Sequence, residues 1–98
     1  MAGSLYQIQQ TLKSHFDVFS KDYHVRRFGV FGSYSQGKQT AESDIDVLVE
    51  LSQPIGLLRF VELEQKLSEL FDRKVDLVTP GALKPLVRAE VQKQVLYV

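Results

Sequence analysis

Between residues 4 and 22, apolar side chains return every three or four positions, at Leu5, Ile8, Leu12, Phe16 and Phe19. That spacing keeps one face of an α-helix apolar. Ser4 stands where an N-cap belongs, and Asp22 closes the segment, so the pattern predicts one helix over 4–22. The rhythm then changes. Residues 25–31, VRRFGVF, combine Val, Phe and a glycine in a first strand that stops at Gly32-Ser33. The polar stretch from Tyr34 to Ser43 predicts a short helical turn and then a loop. In residues 44–51, DIDVLVEL, Ile45, Val47 and Val49 alternate with Asp44, Asp46 and Leu48, the period of two of a second strand. Pro54 suits the first turn of a helix. The apolar face of that helix takes in Leu57, Leu58, Val61, Leu67, Leu70 and Phe71. Residues 74–78, KVDLV, predict a third strand, and Thr79-Pro80-Gly81 breaks the chain. Residues 82–94 read as a two-part helix restarted by Pro85, and the closing VLYV is either its end or a packed extended tail.

The order α-β-α-β-α-β-α implies a small α/β domain: a three-stranded, mixed sheet with helices packed against it. The 98 residues carry no repeat or internal linker and are expected to form one domain over 1–98. A chain of this size buries roughly 60–70% of its unfolded surface, enough for one core but not for a separate recognition domain. Specificity must come from a partner or from a small substrate. Twelve Lys+Arg balance 12 Asp+Glu. No net field therefore draws the chain to nucleic acid or to a membrane, and direct nucleic-acid binding is not expected. With no cysteine, disulfides, thiolate zinc sites and thiol catalysis are excluded. Met1-Ala2-Gly3-Ser4 leads into a mixed polar helix rather than a signal segment, and no apolar run approaches the roughly 20 residues of a membrane span. A soluble, cytoplasmic protein is expected. His15 and His24 lack further ligands at metal spacing and read as structural or solvent-facing.

The chemistry concentrates around two aspartates. Asp44 and Asp46 lie two apart on a predicted strand, so both side chains face one way, with Cα atoms about 6.5–7 Å apart. Aspartate is a poor strand former and the two charges repel, so something must offset the arrangement. A divalent cation does so: Mg²⁺ takes oxygen ligands and is usually held by a few carboxylates together with substrate phosphates. Asp76, between Val75 and Leu77, joins them if the second and third strands pair. Three carboxylates can hold two metals, one activating the attacking oxygen and one neutralising the leaving group in an in-line phosphoryl displacement. Upstream, Gly32-Ser33 follows a strand and opens a polar turn. Glycine lets a backbone approach a phosphate, and the amides and the serine hydroxyl can donate to it. An anion cradle beside a cation cluster is equipment for a nucleoside triphosphate.

The stretch Gly32-Ser33-Tyr34, with ten residues (34–43) between Ser33 and Asp44, followed by Ile45-Asp46-Val47, resembles the signature of the polymerase-beta-like nucleotidyltransferase superfamily. The spacing, short length and terminal Val95-Leu96-Tyr97-Val98 are similar to its minimal nucleotidyltransferase branch, the MNT antitoxins that accompany HEPN-domain toxins. The resemblance covers nearly the whole chain. It is specific at Gly32, Ser33, Asp44, Asp46 and Asp76. It implies transfer of AMP from ATP to a tyrosine of a partner HEPN ribonuclease, silencing that toxin, with Mg²⁺, two ions in the two-metal form, as cofactor. Where many relatives carry Arg or Lys before the glycine at 37, this chain has Gln36, which either weakens the grip on the triphosphate or is a solvated turn residue.

The remaining charges, Arg26-Arg27, Arg59, Lys66 and Arg73-Lys74, read as solvated faces, with Glu62 and Lys66 spaced for an i,i+4 pair worth about 0.2–0.5 kcal/mol. Tyr34 either touches a nucleotide base or covers the turn. Beside the enzyme stands a second reading, a binding module that occludes a toxin with little catalysis. The three acids favour the enzyme, because a pure binder has no need of them. A third, modification of a small drug or an RNA end, fits poorly with so short and neutral a chain. The C-terminal Leu83, Leu86, Val87, Leu96, Tyr97 and Val98 offer apolar groups for a partner surface or for the core.

Overall fold

The computed structural model describes residues 4–98. The N-terminal segment forms two helices rather than the expected one: α1 (Leu5–Ser14) and α2 (Phe16–Tyr23). Ser4 does cap α1. The Gln7 amide donates to Ser4 Oγ at 3.2 Å, and the Ser4 amide donates to Gln7 Oε1 at 3.0 Å, a reciprocal capping box. The break falls at His15, whose φ of −104° and ψ of 4° leave the helical basin. Its Nδ1 lies 3.0 Å from the Thr11 carbonyl, which also accepts the His15 amide at 3.2 Å. The apolar stripe survives the break, with Ile8 and Leu12 buried on α1 and Phe19 and Tyr23 on α2. His24 ends α2 in the left-handed region at φ 58°. Both histidines thus shape the backbone.

Among the described residues four strands follow, one more than expected: β1 (Val25–Phe31), β2 (Ile45–Leu51), β3 (Val75–Val78) and β4 (Leu96–Tyr97). They lie in the order β3-β2-β1-β4. β1 runs antiparallel to β2 and to β4, and β2 parallel to β3, so the sheet is mixed. The fourth strand resolves the closing VLYV as extended tail. It pairs Leu96 with Val30 and Tyr97 with Gly29, and it fits because Gly29 has no side chain: a Cβ there would stand 2.5 Å from Val95 Cγ2.

Strand parity divides the sheet into two faces. Ile45, Val47 and Val49 of β2, Phe28 and Val30 of β1 and Val75 and Leu77 of β3 share one buried cluster with side chains of α1 and α2 and with Leu63, Leu67 and Phe71 of α4 (Leu57–Phe71). The opposite parity carries Asp46 and Leu48 on β2 and Asp76 on β3, so the acids face away from the main core. The middle helix begins later than expected. Gly56 is its N-cap, and Pro54 lies outside. Its buried stripe is Leu63, Leu67 and Phe71, with Phe60 and Leu70 packed beside it. Leu57, Leu58 and Val61 lie on the adjoining flank and are exposed, because a turn of 100° per residue carries them away from the sheet. α4 also reaches sideways to the edge of β3: Ser68 Oγ accepts from the Val75 amide at 3.0 Å and Glu64 Oε2 from the Leu77 amide at 2.8 Å.

The chain closes through a 3₁₀ turn (Pro80–Ala82) and α5 (Pro85–Gln94), with Pro85 at the first turn as expected. Arg88 binds the two together, donating to the carbonyls of Pro80 (2.9 Å) and Leu83 (3.2 Å). Arg59 is not merely solvated. It pairs with Glu62 at 3.0 Å and lies 4.4 Å from the ring centre of Tyr23, whose hydroxyl donates to Glu62 at 2.7 Å. That replaces the expected Glu62–Lys66 pair; the Lys66 ammonium sits over the same ring, 5.7 Å from its centre. Burial first, and then the bond to Glu62, raises the Tyr23 pKa. Among the described residues no helix is long and apolar enough to cross a membrane.

Candidate functional site

Asp44 immediately precedes β2, Asp46 is the second residue of β2, and Asp76 is the second residue of β3. The parallel register sets Asp46 directly opposite Asp76. The expected pairing of the two strands therefore brings all three acids to one end of one face. Burial raises the Asp46 pKa, and the charges of Asp76 and then Asp44 raise it further. The charged form of Asp46 is thus held in a place that disfavours it.

Lys74, expected to be solvated, lies among these acids. Its ammonium stands 3.7 Å from Asp44 Oδ2 and 3.7 Å from Asp76 Oδ1. Its place two residues before Asp76 puts it on the same face, a signal that period-two counting carries. Asp44 is held from behind by Arg73, which donates to the carbonyls of Ala41 at 2.5 Å and Ser43 at 3.1 Å. The Ile45 amide donates to the Lys74 carbonyl at 3.0 Å. Ser43 closes the loop ahead of the acids, its hydroxyl accepting from the Thr40 amide at 2.8 Å.

Gly32 has φ 74° and ψ −148°, a region that side chains with a Cβ avoid. A Cβ there would collide with the carboxylate of Asp46, whose Oδ2, Cγ and Cβ are its three nearest atoms. The Gly32 backbone is therefore pressed against Asp46, and the cradle and the acids form one site. The turn runs into α3 (Ser33–Gln36) as expected and ends at Gly37, φ 70°. The Lys38 amide closes the turn on the Ser33 carbonyl at 2.9 Å. Ser35 Oγ donates to the Gly32 carbonyl at 3.0 Å. Tyr34 points into the core, 3% exposed, which leaves it as packing under the turn and not a contact for a base. Gln36 is exposed on the last position of α3. The Gly32 amide donates to Gln94 Oε1 of α5 at 2.8 Å, a contact across 62 positions that no local pattern announces.

The donor set is all carboxylate, which suits a hard cation such as Mg²⁺ and does not suit a thiophilic one. Among the described residues no three Asp, Glu, His or Cys side chains already stand gathered as a closed metal cage. Instead Lys74 bridges two of the acids, while the third carries the raised pKa that a cation would relieve. The residues fit a divalent ion shared with a ligand's own phosphate oxygens.

Residues 12–98 match the family model described as Nucleotidyltransferase domain. A curated protein adenylyltransferase, MntA of Thermococcus cleftensis, is 38% identical over 95 residues, covering 97% of this chain and 96% of that protein. A solved structure described as a candidate minimal nucleotidyltransferase superposes with a TM-score of 0.80 at 26% identity, covering 96% of this chain and 95% of the other. A chain of a toxin–antitoxin complex crystallised with AMP-PNP superposes with a TM-score of 0.74 at 29% identity, over 87% of this chain and 69% of that one.

Proposed function

We propose, from the premise that this chain belongs to the nucleotidyltransferase domain family, that it moves AMP from ATP to a tyrosine of a HEPN ribonuclease toxin and is that toxin's antitoxin. The chain is an enzyme of AMP transfer, as its family and its adenylyltransferase relatives have it. Residues 1–98 act in this as one minimal domain. The observation that carries the proposal is the contact of Gly32 with Asp46. A triphosphate cradled at Gly32-Ser33 has no distance to cross before it meets the acids.

Each residue then has a task. The Ser33 hydroxyl and the amides of the turn hold phosphate oxygens. Gly32 keeps the space over Asp46 open, where any side chain would fill it. Asp44 and Asp46 would hold Mg²⁺ against the triphosphate, and Asp76 completes the set on the side from which the acceptor arrives. Bound Mg²⁺, two ions if all three acids take part, would stabilise charge on the phosphoryl group and ease loss of the tyrosine proton. The tyrosine hydroxyl gives its proton to solvent, its oxygen forms a bond to the α-phosphorus, the bond from that phosphorus to the bridging oxygen breaks, and diphosphate leaves with the electron pair. Lys74 must exchange its acid partners for phosphate oxygens or solvent as this site fills.

Incubation of the protein with ATP, Mg²⁺ and the HEPN protein encoded beside it, followed by intact mass spectrometry, tests the reading. One or more AMP increments on the HEPN protein are expected, lost in Asp44→Asn and Asp46→Asn and in EDTA. Full transfer by Asp46→Asn would refute it. The binding-module reading keeps one observation in its favour. Leu86 is 85% exposed on α5, and Val87, Leu96 and Tyr97 are also exposed, so of the two readings of the C-terminal apolar groups, a partner surface or the core, full packing in the core does not hold. An Asp44→Asn, Asp46→Asn double variant is therefore expected to co-purify with the toxin while failing to modify it. Rescue of toxin-expressing cells by that variant at the native level would give the binding module precedence.

A further inference from the structure

Gly32 ties the site to a residue from the far end of the chain. Its amide points to Gln94 Oε1 at 2.8 Å, and Gln94 is the last residue of α5. Immediately beyond it the chain turns into β4, which pairs with β1 at Gly29 and Val30, just before the turn. The carbonyl of the same glycine accepts from Ser35 Oγ at 3.0 Å and from the Gln36 amide at 3.2 Å. Both polar groups of Gly32 are thus engaged, one locally and one by α5. The φ of 74° and ψ of −148° mirror the extended backbone, open to glycine and closed to residues with a Cβ, so glycine's own freedom does not hold the peptide there and its partners do. Short of proline, no substitution at 32 removes the amide itself, but its partner can be removed by one.

We propose that Gln94 is a positioning residue for nucleotide binding: its side-chain carbonyl fixes the Gly32 peptide in the conformation that lays the cradle on Asp46, and so couples the end of α5 to the triphosphate site. This deepens the reading of the site as an ATP-binding one and rests on it. Gln94 leaves the Gly32 amide no free donor. The phosphate contacts must therefore come from Ser33 and the amides after it, and the glycine supplies shape, not a bond to the ligand. Loss of Gln94 frees the peptide to rotate away from Asp46 and separates cradle from acids before ATP arrives. The effect belongs to ground-state binding, so it falls on KM more than on kcat.

Gln94→Met keeps the length of the side chain and removes the acceptor, whereas Gln94→Glu keeps an acceptor in place. Two readouts decide. The first is amide exchange of Gly32 by NMR in the ligand-free protein. The second is affinity for AMP-PNP with Mg²⁺ by calorimetry, with KM and kcat for ATP alongside. A net hydrogen bond of ordinary strength corresponds to about two- to tenfold. Gln94→Met is expected to speed Gly32 exchange by that factor, weaken AMP-PNP by a similar one and leave kcat near native. Gln94→Glu is expected to keep Gly32 protected. Native exchange at Gly32 in Gln94→Met overturns the bond, and faster exchange with native AMP-PNP affinity overturns its role. A native protein that binds no AMP-PNP overturns the functional reading itself, and the inference with it.

Discussion

Gly32→Ala is the sharpest perturbation that the structure offers, because its cost has two separable parts. The backbone at φ 74°, ψ −148° excludes a Cβ on conformational grounds, at about 1–3 kcal/mol. The new methyl would also collide with the Asp46 carboxylate, and forcing an extra group into packed space costs about 1–3 kcal/mol more. The sum is roughly 2–6 kcal/mol of stability, if the turn stays where it is. The collision has one partner. All three of the nearest atoms belong to Asp46, and Asp46→Ala would delete Oδ2 and Cγ, leaving only Cβ at 3.2 Å. In that background Gly32→Ala should therefore cost only the conformational part, giving a coupling of about 1–3 kcal/mol in a double-mutant cycle. Urea unfolding of the four proteins in EDTA measures it. The slope for a chain of this size is about 1–3 kcal/mol per molar, so the midpoints separate clearly. AMP transfer by Gly32→Ala should fall with them. An equal cost in both backgrounds would refute the contact, and a cost below about 1 kcal/mol would refute the conformation as well.

Asp46→Asn should stabilise the metal-free protein at neutral pH, since the native carboxyl has a raised pKa through burial, Asp76 and Asp44. The folded state then binds more protons than the unfolded one between the ordinary carboxylate pKa and the raised value. Stability falls as pH rises through that window and stays lower above it. Urea curves from pH 3.5 to 7 in EDTA should show the advantage of the variant vanishing toward the acid end. Lys74→Met should tighten Mg²⁺ binding by calorimetry, by removing a rival cation at 3.7 Å from two acids. Its cost to stability should stay below about 1 kcal/mol, as the side chain is 70% exposed. Arg73→Ala should cost about 1–2 kcal/mol through its bonds to Ala41 and Ser43, and hydrogen exchange should quicken at the amides of Asp44 and Ile45.

What the sequence made legible was periodic or local. The alternation in DIDVLVEL set the acids on one face and the valines on the other, and strand pairing then had only one end of the sheet at which to place Asp76. Ser4 and Pro85 announced their helices by chemistry that acts within a turn. The failures were of another kind. The helix over 4–22 divides at His15, where the backbone leaves the helical basin while the apolar stripe runs on, and a stripe read at constant period cannot show such a break. Leu57, Leu58 and Val61 have the right composition for the core and the wrong angle. The two residues Leu96 and Tyr97 are too few for a period, and they become a strand because β1 offers them an edge. Arg73, Lys74 and Gln94 act on partners that only tertiary folding brings near. For Lys74 alone, the parity shared with Asp76 was a usable signal.

The outer edge of β3 has a consequence for how an acceptor protein can approach. Asp76 sits on that strand, and the outward amides on either side of it, at Val75 and Leu77, already donate to Ser68 and Glu64 of α4. An incoming polypeptide that tried to extend the sheet there would find those donors spent and a glutamate in its path. Recognition by strand addition is closed at the edge nearest the acids. On the proposed function, an acceptor side chain would then have to reach the acids by projecting from its own backbone, and its reach would select it.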